Sequence, residues 1–148
     1  MPCNTWHPGE SSDRDAWEDD ELNPGMRGNR ACLQCHEAYQ GEALTRHTHH
    51  ASGSSGSLCY NCHMPYTTYG LLKGIRSHTI DVPSVLTAQE TGRPLACNQC
   101  HLDQTLAWTA SRLEAWYGIS PPPLSPEDEN LAASVRWTLQ GDAGQRAL

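Results

Sequence analysis

One five-residue pattern, Cys-x-x-Cys-His, occurs three times in this chain and constrains its fold more than any other feature. Motif 1 contains Cys32, Cys35 and His36, motif 2 contains Cys59, Cys62 and His63, and motif 3 contains Cys97, Cys100 and His101. Two thiols at this spacing can form thioethers with both vinyl groups of one porphyrin, and the histidine that follows then binds the iron. The pattern therefore predicts three covalently attached haem c groups.

Zinc is the main alternative, because paired Cys-x-x-Cys sequences also build tetrahedral zinc sites. A zinc site gives no reason for a histidine to follow every pair directly, in a chain with only 8 histidines among 148 residues. Disulfide bonds within the pairs are a second alternative, but cysteines so close in sequence rarely staple a fold. The repeated histidine favours haem over both.

The apolar content is low for a chain that folds on its own. Only 37% of the residues are hydrophobic and none is Phe. Leu, Ile, Val and Phe together make up about 14% of the chain. A fraction below ~20%, together with appreciable net charge, is typical of disordered sequences. Three porphyrins would supply the missing apolar surface, so the fold should depend on its cofactors. We expect a small multihaem cytochrome c fold, mainly α-helical with extensive irregular coil and little or no β-sheet.

Charge and hydropathy limit the partners and the location. The net charge of −7 argues against nucleic acid. No apolar run approaches the ~18 residues that cross a membrane, so no transmembrane segment is expected. Met1 is followed by Pro2 and Cys3, without the basic and apolar stretches of a signal peptide. Because haem c is attached outside the cytoplasm, we expect a periplasmic or extracellular protein, shown here as a processed form or a fragment.

The composition divides the chain into three parts. Residues 1–30 form an acidic arm, 31–118 a triheme domain, and 119–148 a proline-rich spacer with a C-terminal helix, possibly the start of a helical repeat. The arm contains Cys3-Asn4-Thr5-Trp6-His7, in which Trp6 replaces a second cysteine, and residues 15–22 are either a short helix or irregular. Cys3 and His7 are surface residues, a degenerate haem site, or a source of one ligand for a haem elsewhere. We expect three haems and no fourth at Cys3 and His7.

Three further stretches give secondary-structure predictions. Apolar residues recur at helical spacing from Leu106 to Tyr117, and Gly118 should end that helix. Residues 80–94 contain two prolines and no clear period, so a loop around the haems is predicted. Ser125-Pro126-Glu127-Asp128 is typical of a helix start. Its helix should end at Gly141 and bury Leu131, Val135 and Leu139.

The histidine count suits two nitrogen ligands per iron. With one ligand supplied by each motif, five histidines remain, namely His7, His47, His49, His50 and His78. His78 stands alone between motifs 2 and 3 and is a natural distal ligand. Of His47, His49 and His50 we expect two to bind, and adjacent histidines point in different directions, so they could serve different haems. Met64 directly follows a motif histidine and is poorly placed, so bis-histidine ligation and low potentials are predicted.

These residues resemble the multihaem c-type cytochromes of the doubled Cys-x-x-Cys-His group, related to cytochrome c554. The likeness is greatest to the cytochrome portion of bacterial proteins that join such motifs to tetratricopeptide or HEAT-type repeats. The segments that carry it are His47-Thr48-His49-His50, Cys59 to Pro65, Arg76-Ser77-His78, Ala96 to His101, and Trp108 with Trp116-Tyr117-Gly118. The resemblance implies electron transfer between haems with histidine axial ligands. The presence of only three full motifs departs from it.

Electron transfer is the function that these features favour, with no catalytic residue. The partners would be other redox proteins or copies of the same chain, in a homo-oligomer or an extracellular conducting filament. The alternative is a multihaem reductase of a small nitrogen or sulfur oxyanion, which needs one haem with an open axial position. The surplus of distal histidines argues against an open position.

Overall fold

A computed structural model describes residues 24–69, 73–142 and 145–147. Within these ranges the chain is mainly helical, which confirms the mainly α expectation. The α-helices there are α1 (Arg30–Leu33), α2 (Glu42–Thr48), α3 (Cys59–His63), α4 (Val85–Thr91), α5 (Ala96–Cys100), α6 (Leu106–Tyr117), α7 (Pro126–Asn130) and α8 (Ala133–Gln140). Cys3, His7 and the possible helix at residues 15–22 lie outside the described residues.

Contacts divide the chain into two compact units, Met1–Asn61 and Cys62–Leu148, so the division falls within motif 2. The described part of the first unit consists of α1, α2, the start of α3 and three 3₁₀ turns, at Pro24–Met26, Glu37–Tyr39 and Ser55–Ser57. Ala31 and Leu44 are the buried apolar side chains in this part. Such a small core contributes little hydrophobic stabilisation.

In the second unit, an antiparallel hairpin follows the end of motif 2 and returns the chain to it. Strand β1 (Tyr66–Tyr69) pairs with β2 (Lys73–Arg76), and Tyr66 lies opposite Arg76. The Arg76 guanidinium lies 4.5 Å from the centre of the Tyr66 ring, a cation–π contact across the strands. Beyond the hairpin, the Ser77 N–H donates to the Pro65 carbonyl at 2.9 Å. The hairpin thus places residues 77–81 beside the end of motif 2.

The main apolar core lies in the second unit and supports motif 3. Its buried members are Val85, Leu95, Ala110 and Leu113, with Ala88, Leu106 and Leu124 packed against them. The predicted helix from Leu106 to Tyr117 is confirmed as α6, and Gly118 ends it in a left-handed conformation with φ +68°. Thr105 caps its N-terminus by accepting a hydrogen bond from the Trp108 N–H. The core therefore joins α4 and α6 beneath motif 3.

The loop predicted for residues 80–94 is wrong in its middle, because residues 85–91 form α4. The Ser84 side chain accepts from the Thr87 N–H at the start, and Gly92 ends the helix with φ +69°. Val85 is 3% exposed. Two proline-containing flanks concealed a helix of only seven residues, whose stability comes from packing in the core.

The single C-terminal helix predicted from Ser125 to Gly141 is also wrong. Its start is confirmed, since Ser125 and Asp128 form a capping box at the start of α7, and its end is confirmed, since α8 ends at Gly141. The helix breaks after Asn130 because Ala132 pairs with Thr105, and the Ala133 N–H donates to the Gln104 carbonyl at 2.9 Å. The helix that resumes as α8 has a different buried face.

The predicted buried face of this segment fails for that reason. Val135 is 45% exposed and Leu139 is 69% exposed, whereas Leu131 is half-buried. Ala133 is the buried residue of α8 instead. Within the described residues, no helix has the length and apolar character needed to cross a membrane.

Candidate functional site

Each motif lies on a single helical turn. The His36 N–H donates to the Cys32 carbonyl and the His101 N–H donates to the Cys97 carbonyl, both at 2.9 Å. Motif 2 is helical throughout as α3. In a helical turn, residues three apart lie on the same face. The two thiols of each motif therefore point to one side, as attachment to a single porphyrin requires.

The thiols of successive motifs lie close together within each unit. In the first unit, a hydrogen bond from Cys59 lowers the pKa of the Cys32 thiol to about 7, although burial acts in the opposite direction. In the second unit, burial and the charge of Cys100 raise the pKa of Cys62. Burial and the charge of Cys62 raise the pKa of Cys97 to about 11. None of the six motif cysteines is in a disulfide.

His63 of motif 2 is held by the backbone of Asp81. Its Nδ1 lies 2.7 Å from the Asp81 carbonyl oxygen, and the Asp81 N–H donates to the His63 carbonyl at 2.9 Å. A carbonyl oxygen only accepts, so Nδ1 carries the proton and the lone pair lies on Nε2. This arrangement is typical of histidines that bind a metal through Nε2.

Asp81 is itself fixed by its carboxylate. One oxygen accepts from the Val82 N–H at 2.8 Å, and the other accepts from the Arg93 guanidinium at 2.9 Å. The Val82 hydrogen bond and the Arg93 contact hold the pKa of Asp81 below its ordinary value. Arg93, beyond the end of α4, thus supports the residue that orients His63.

Two of the candidate distal histidines have the same defined tautomer. His78 is exposed, and its Nδ1 lies 3.0 Å from the Arg76 carbonyl oxygen. His50 is half-buried, and its Nδ1 lies 2.5 Å from the Thr48 carbonyl oxygen. Both therefore carry the lone pair on Nε2. The His50 ring also lies so close to Gly56 that a Cβ atom built there would collide with it.

The rest of the histidine cluster differs from His50. The ring of His47, on α2, lies 4.5 Å from that of Tyr39 between centroids. His49 is exposed and ends α2 in a left-handed conformation with φ 56°. His7 lies outside the described part of the chain. The structure thus separates His47 and His50, which are half-buried, from His49.

Motif 3 is anchored to α6 through Asn98, one of its two variable residues, and through its histidine, His101. Asn98 is 1% exposed and accepts from the Thr109 hydroxyl at 2.8 Å, while its amide donates to the Gln104 carbonyl at 3.2 Å. The rings of His101 and Trp108 lie 4.9 Å apart between centroids. The Arg112 guanidinium lies 5.4 Å from the centre of the Trp108 ring. These contacts fix the orientation of the helical turn that carries motif 3.

A cavity of about 170 Å³ in the second unit lies between α4, α6 and α8. Apolar side chains including Leu95, Leu106 and Trp137 line it, together with the guanidinium groups of Arg93 and Arg136. Each arginine is paired with a carboxylate, Arg93 with Asp81 and Arg136 with Asp128. These ion pairs neutralise the positive charge of the cavity wall. No motif cysteine or histidine lines this cavity.

The residues present fit haem c. Each motif offers two thiols on one face of a helical turn. Cys35 and Cys100 are exposed, so a molecule as large as a porphyrin can reach them. The motif histidine with a defined tautomer, His63, presents Nε2 as its ligand atom. Among the described residues, no three His, Cys, Asp or Glu side chains cluster as a metal-ion site. A haem iron binds at most two protein side chains, because the porphyrin supplies its other four ligands, so a haem site does not need such a cluster of three.

Compared with known proteins, the chain matches no family model, no curated protein and no solved structure. The resemblance to multihaem cytochromes therefore stays a prediction from the motifs.

Four positions that support the motifs were not found from the sequence. Asp81 and Arg93 orient His63, whereas Asn29 and Gln99 join motifs to neighbouring backbone. Gln99 occupies a variable position inside motif 3, and Asn29 lies just before motif 1. For Asn29 and Gln99, the only signal in the sequence was a side-chain amide in or near a motif. Their hydrogen-bond partners are distant in sequence and could not be predicted from it.

Proposed function

We propose that this protein is a triheme c-type cytochrome that carries electrons. The observation that supports this most directly is the recurrence of Cys-x-x-Cys-His on three helical turns, with each histidine directly after its second cysteine. Haem c, when bound, supplies reversible one-electron chemistry at its iron. Cys32, Cys35, Cys59, Cys62, Cys97 and Cys100 attach the three haems, and His36, His63 and His101 provide one axial ligand each.

The apolar content of the structure also supports haem attachment. The described part of the first unit buries only Ala31 and Leu44 among its apolar side chains. Elsewhere, Ile80 is 65% exposed and Val82 is 60% exposed, on either side of the residue that holds His63. A porphyrin bound at His63 gives such side chains an apolar surface to pack against. The fold organised by haem is thus part of the proposal.

The contacts between motifs suit transfer rather than catalysis. Cys32 and Cys59 are in hydrogen-bond contact in the first unit, and Cys62 lies near Cys97 in the second. Attachment sites this close bring porphyrin edges together, and electron tunnelling is fast only over short distances. His50 and His78 are suited to close the second axial position on two of the irons. The electron partners are redox proteins or further copies of the chain outside the cytoplasm.

Intact-mass measurement tests the cofactor content. The chain should be exported from a host that carries the cytochrome c maturation machinery and then unfolded in acid before mass spectrometry. We expect the mass of three haems to remain on the wild-type chain after denaturation. The double variant Cys59→Ser/Cys62→Ser, which lacks both thiols of motif 2, should carry two haems. A chain that leaves the export pathway without covalent haem contradicts the proposal.

Electron paramagnetic resonance of the oxidised protein tests the role. Low-spin ferric signals that integrate to all three irons are expected, with His50 and His78 as distal ligands of two irons and His47 as that of the third. One high-spin ferric iron per chain would instead favour the oxyanion reductase, which needs an open axial position. Addition of nitrite or sulfite should leave the low-spin signals unchanged.

A further inference from the structure

Asn29 connects the helical turn of motif 1 to the start of motif 2. Its side-chain amide donates to the Ser57 carbonyl at 2.8 Å, and its side-chain oxygen accepts from the Cys59 N–H at 2.8 Å. Its backbone carbonyl accepts from the Cys32 N–H at 3.0 Å, at the start of α1. One residue thus holds the first cysteines of two motifs, and all of these contacts lie within the first unit.

Gln99 makes the matching connection in the second unit. It is the second variable residue of motif 3, and its side chain bonds both polar backbone groups of Tyr66 at the start of β1. The Tyr66 N–H donates to Oε1 at 3.2 Å, and Nε2 donates to the Tyr66 carbonyl at 2.5 Å. Tyr66 follows motif 2 by three residues. Gln99 therefore holds motif 3 against the segment that leaves motif 2.

The two side chains act in the same way. Each primary amide uses its one acceptor and one donor to pair with backbone, as a neighbouring strand would. We call these contacts amide bridges. An amide that makes two hydrogen bonds has little rotational freedom, so each bridge fixes both the distance and the angle between the two pieces of chain. A hydrophobic side chain has neither the donor nor the acceptor and loses both bonds.

We propose that the amide bridges of Asn29 and Gln99 set the spacing of neighbouring haems. This inference rests on the proposed function, since the bridged segments carry the attachment cysteines. Asn29 fixes the separation of the motif 1 turn from the start of motif 2 at Cys59, and Gln99 fixes that of motif 3 from the segment that leaves motif 2. Both are positioning residues, because they act through their hydrogen bonds to backbone. Their loss changes the geometry between haems without removing any thioether or axial ligand.

The chain provides a matched control for Gln99. Gln34 is the second variable residue of motif 1, but its amide bonds to the Ala31 carbonyl at 2.8 Å within its own turn and to the Met26 sulfur at 3.7 Å. Neither partner belongs to another motif. Gln99→Met and Gln34→Met therefore remove the same group from the same motif position, with similar side-chain volume. Asn29→Leu has Asn130→Leu as its control, because Asn130 bonds only to the Pro126 carbonyl of its own helix at 2.8 Å.

The test is circular dichroism of the holoprotein in the Soret band. Haems in a fixed close arrangement give a signal of two opposite lobes, whose size and sign depend on the distance and angle between rings. Wild-type protein with three haems by mass and no such signal would overturn the spacing proposal and leave the proposed function intact. Wild-type protein without haem would overturn both.

With three haems retained, Gln99→Met and Asn29→Leu are expected to reduce or reshape the two-lobed signal. Gln34→Met and Asn130→Leu should keep it. Unchanged signals in both bridge variants would overturn the proposal. If Gln99→Met loses haem, Gln99→Glu replaces it, since this side chain keeps the acceptor for the Tyr66 N–H and loses only the donor. A Gln99→Glu signal equal to that of wild type would then overturn the spacing role, and an altered signal would support it.

Discussion

His63 and Asp81 exchange two hydrogen bonds although they are 18 residues apart. The His63 ring donates from Nδ1 to the Asp81 carbonyl, and the Asp81 N–H donates to the His63 carbonyl. The β1–β2 hairpin brings the chain back to make this contact. An imidazole whose Nδ1 donates a hydrogen bond is a more basic ligand through Nε2. In the proposed cytochrome, the contact should therefore stabilise ferric iron and lower the potential of a haem attached at motif 2.

Arg93→Met is predicted to raise the potential of one haem. The side chain pairs with the Asp81 carboxylate at 2.9 Å, and without it the Asp81 carbonyl should be held less firmly on His63. We expect a rise of about 30–60 mV, up to a tenfold change in a one-electron equilibrium. The measurement is a spectroelectrochemical titration that resolves the three haems.

The sign of this shift distinguishes two causes. Removal of a positive charge alone stabilises ferric iron and lowers the potential, whereas a weaker hydrogen bond to His63 raises it. Arg146→Met, which removes an equal charge from a guanidinium bonded to the Gly141 carbonyl, serves as the control. A fall in potential in Arg93→Met would show that charge dominates. The ion pair itself is partly exposed, so the free energy of unfolding should change by about 1 kcal/mol or less.

Removal of a distal ligand should convert one iron to high spin. We expect this for His50→Ala and for His78→Ala, because both rings carry their lone pair on Nε2. His49→Ala should retain only low-spin signals, since this residue lies at the left-handed end of α2, apart from the half-buried His47 and His50. The measurement is the integrated ferric high-spin signal per chain. A high-spin iron in His49→Ala and none in His50→Ala would reverse the assignment.

Gly56→Ala is predicted to disturb the His50 ring without a change at His50 itself. A Cβ atom at position 56 would collide with the His50 imidazole, so either the ring or the turn at Ser55–Ser57 must move. We expect a loss of about 1–3 kcal/mol in the free energy of unfolding, as for other overpacked sites. We also expect a partial high-spin signal, smaller than that of His50→Ala. A fully low-spin spectrum with that loss of stability would mean that the turn moves and the His50 ring keeps its position.

The sequence was sufficient for features that depend on local pattern. The α6 boundaries followed from apolar spacing and Gly118, and the start of α7 followed from Ser125 and Asp128. The sequence was insufficient where the backbone of a distant residue pairs with a segment that would otherwise be helical. Ala132, which pairs with Thr105, is the example. The motif residues were identifiable because the same spacing of two cysteines and a histidine occurs three times. Asp81 was not, since its role depends on a backbone carbonyl, which every residue has.

The C-terminal segment offers a prediction that is independent of haem chemistry. Asp128 is 3% exposed and accepts from Gln89 at 3.0 Å and from the Ser125 N–H at 3.1 Å, and it pairs with Arg136. Burial alone would raise the pKa of Asp128, but the hydrogen bonds from Ser125 and Gln89 and the charge of Arg136 hold it below its ordinary value. Its carboxylate thus links α4, α7 and α8.

Asp128→Asn should therefore destabilise the protein at neutral pH and less so in acid. Arg136 loses its partner, and we expect a cost of about 1–3 kcal/mol in the free energy of unfolding. Because the folded pKa lies below the unfolded value of about 3.9, this stabilisation is present above that pH and is lost as the pH falls through the folded pKa. Urea unfolding followed by far-ultraviolet circular dichroism, at neutral pH and below pH ~3, measures the difference. Asp103→Asn, at an exposed carboxylate that bonds the adjacent Gln104, is the control and should show little change at either pH. An Asp128→Asn cost that is equal at both pH values would show that shape rather than charge holds this segment in place.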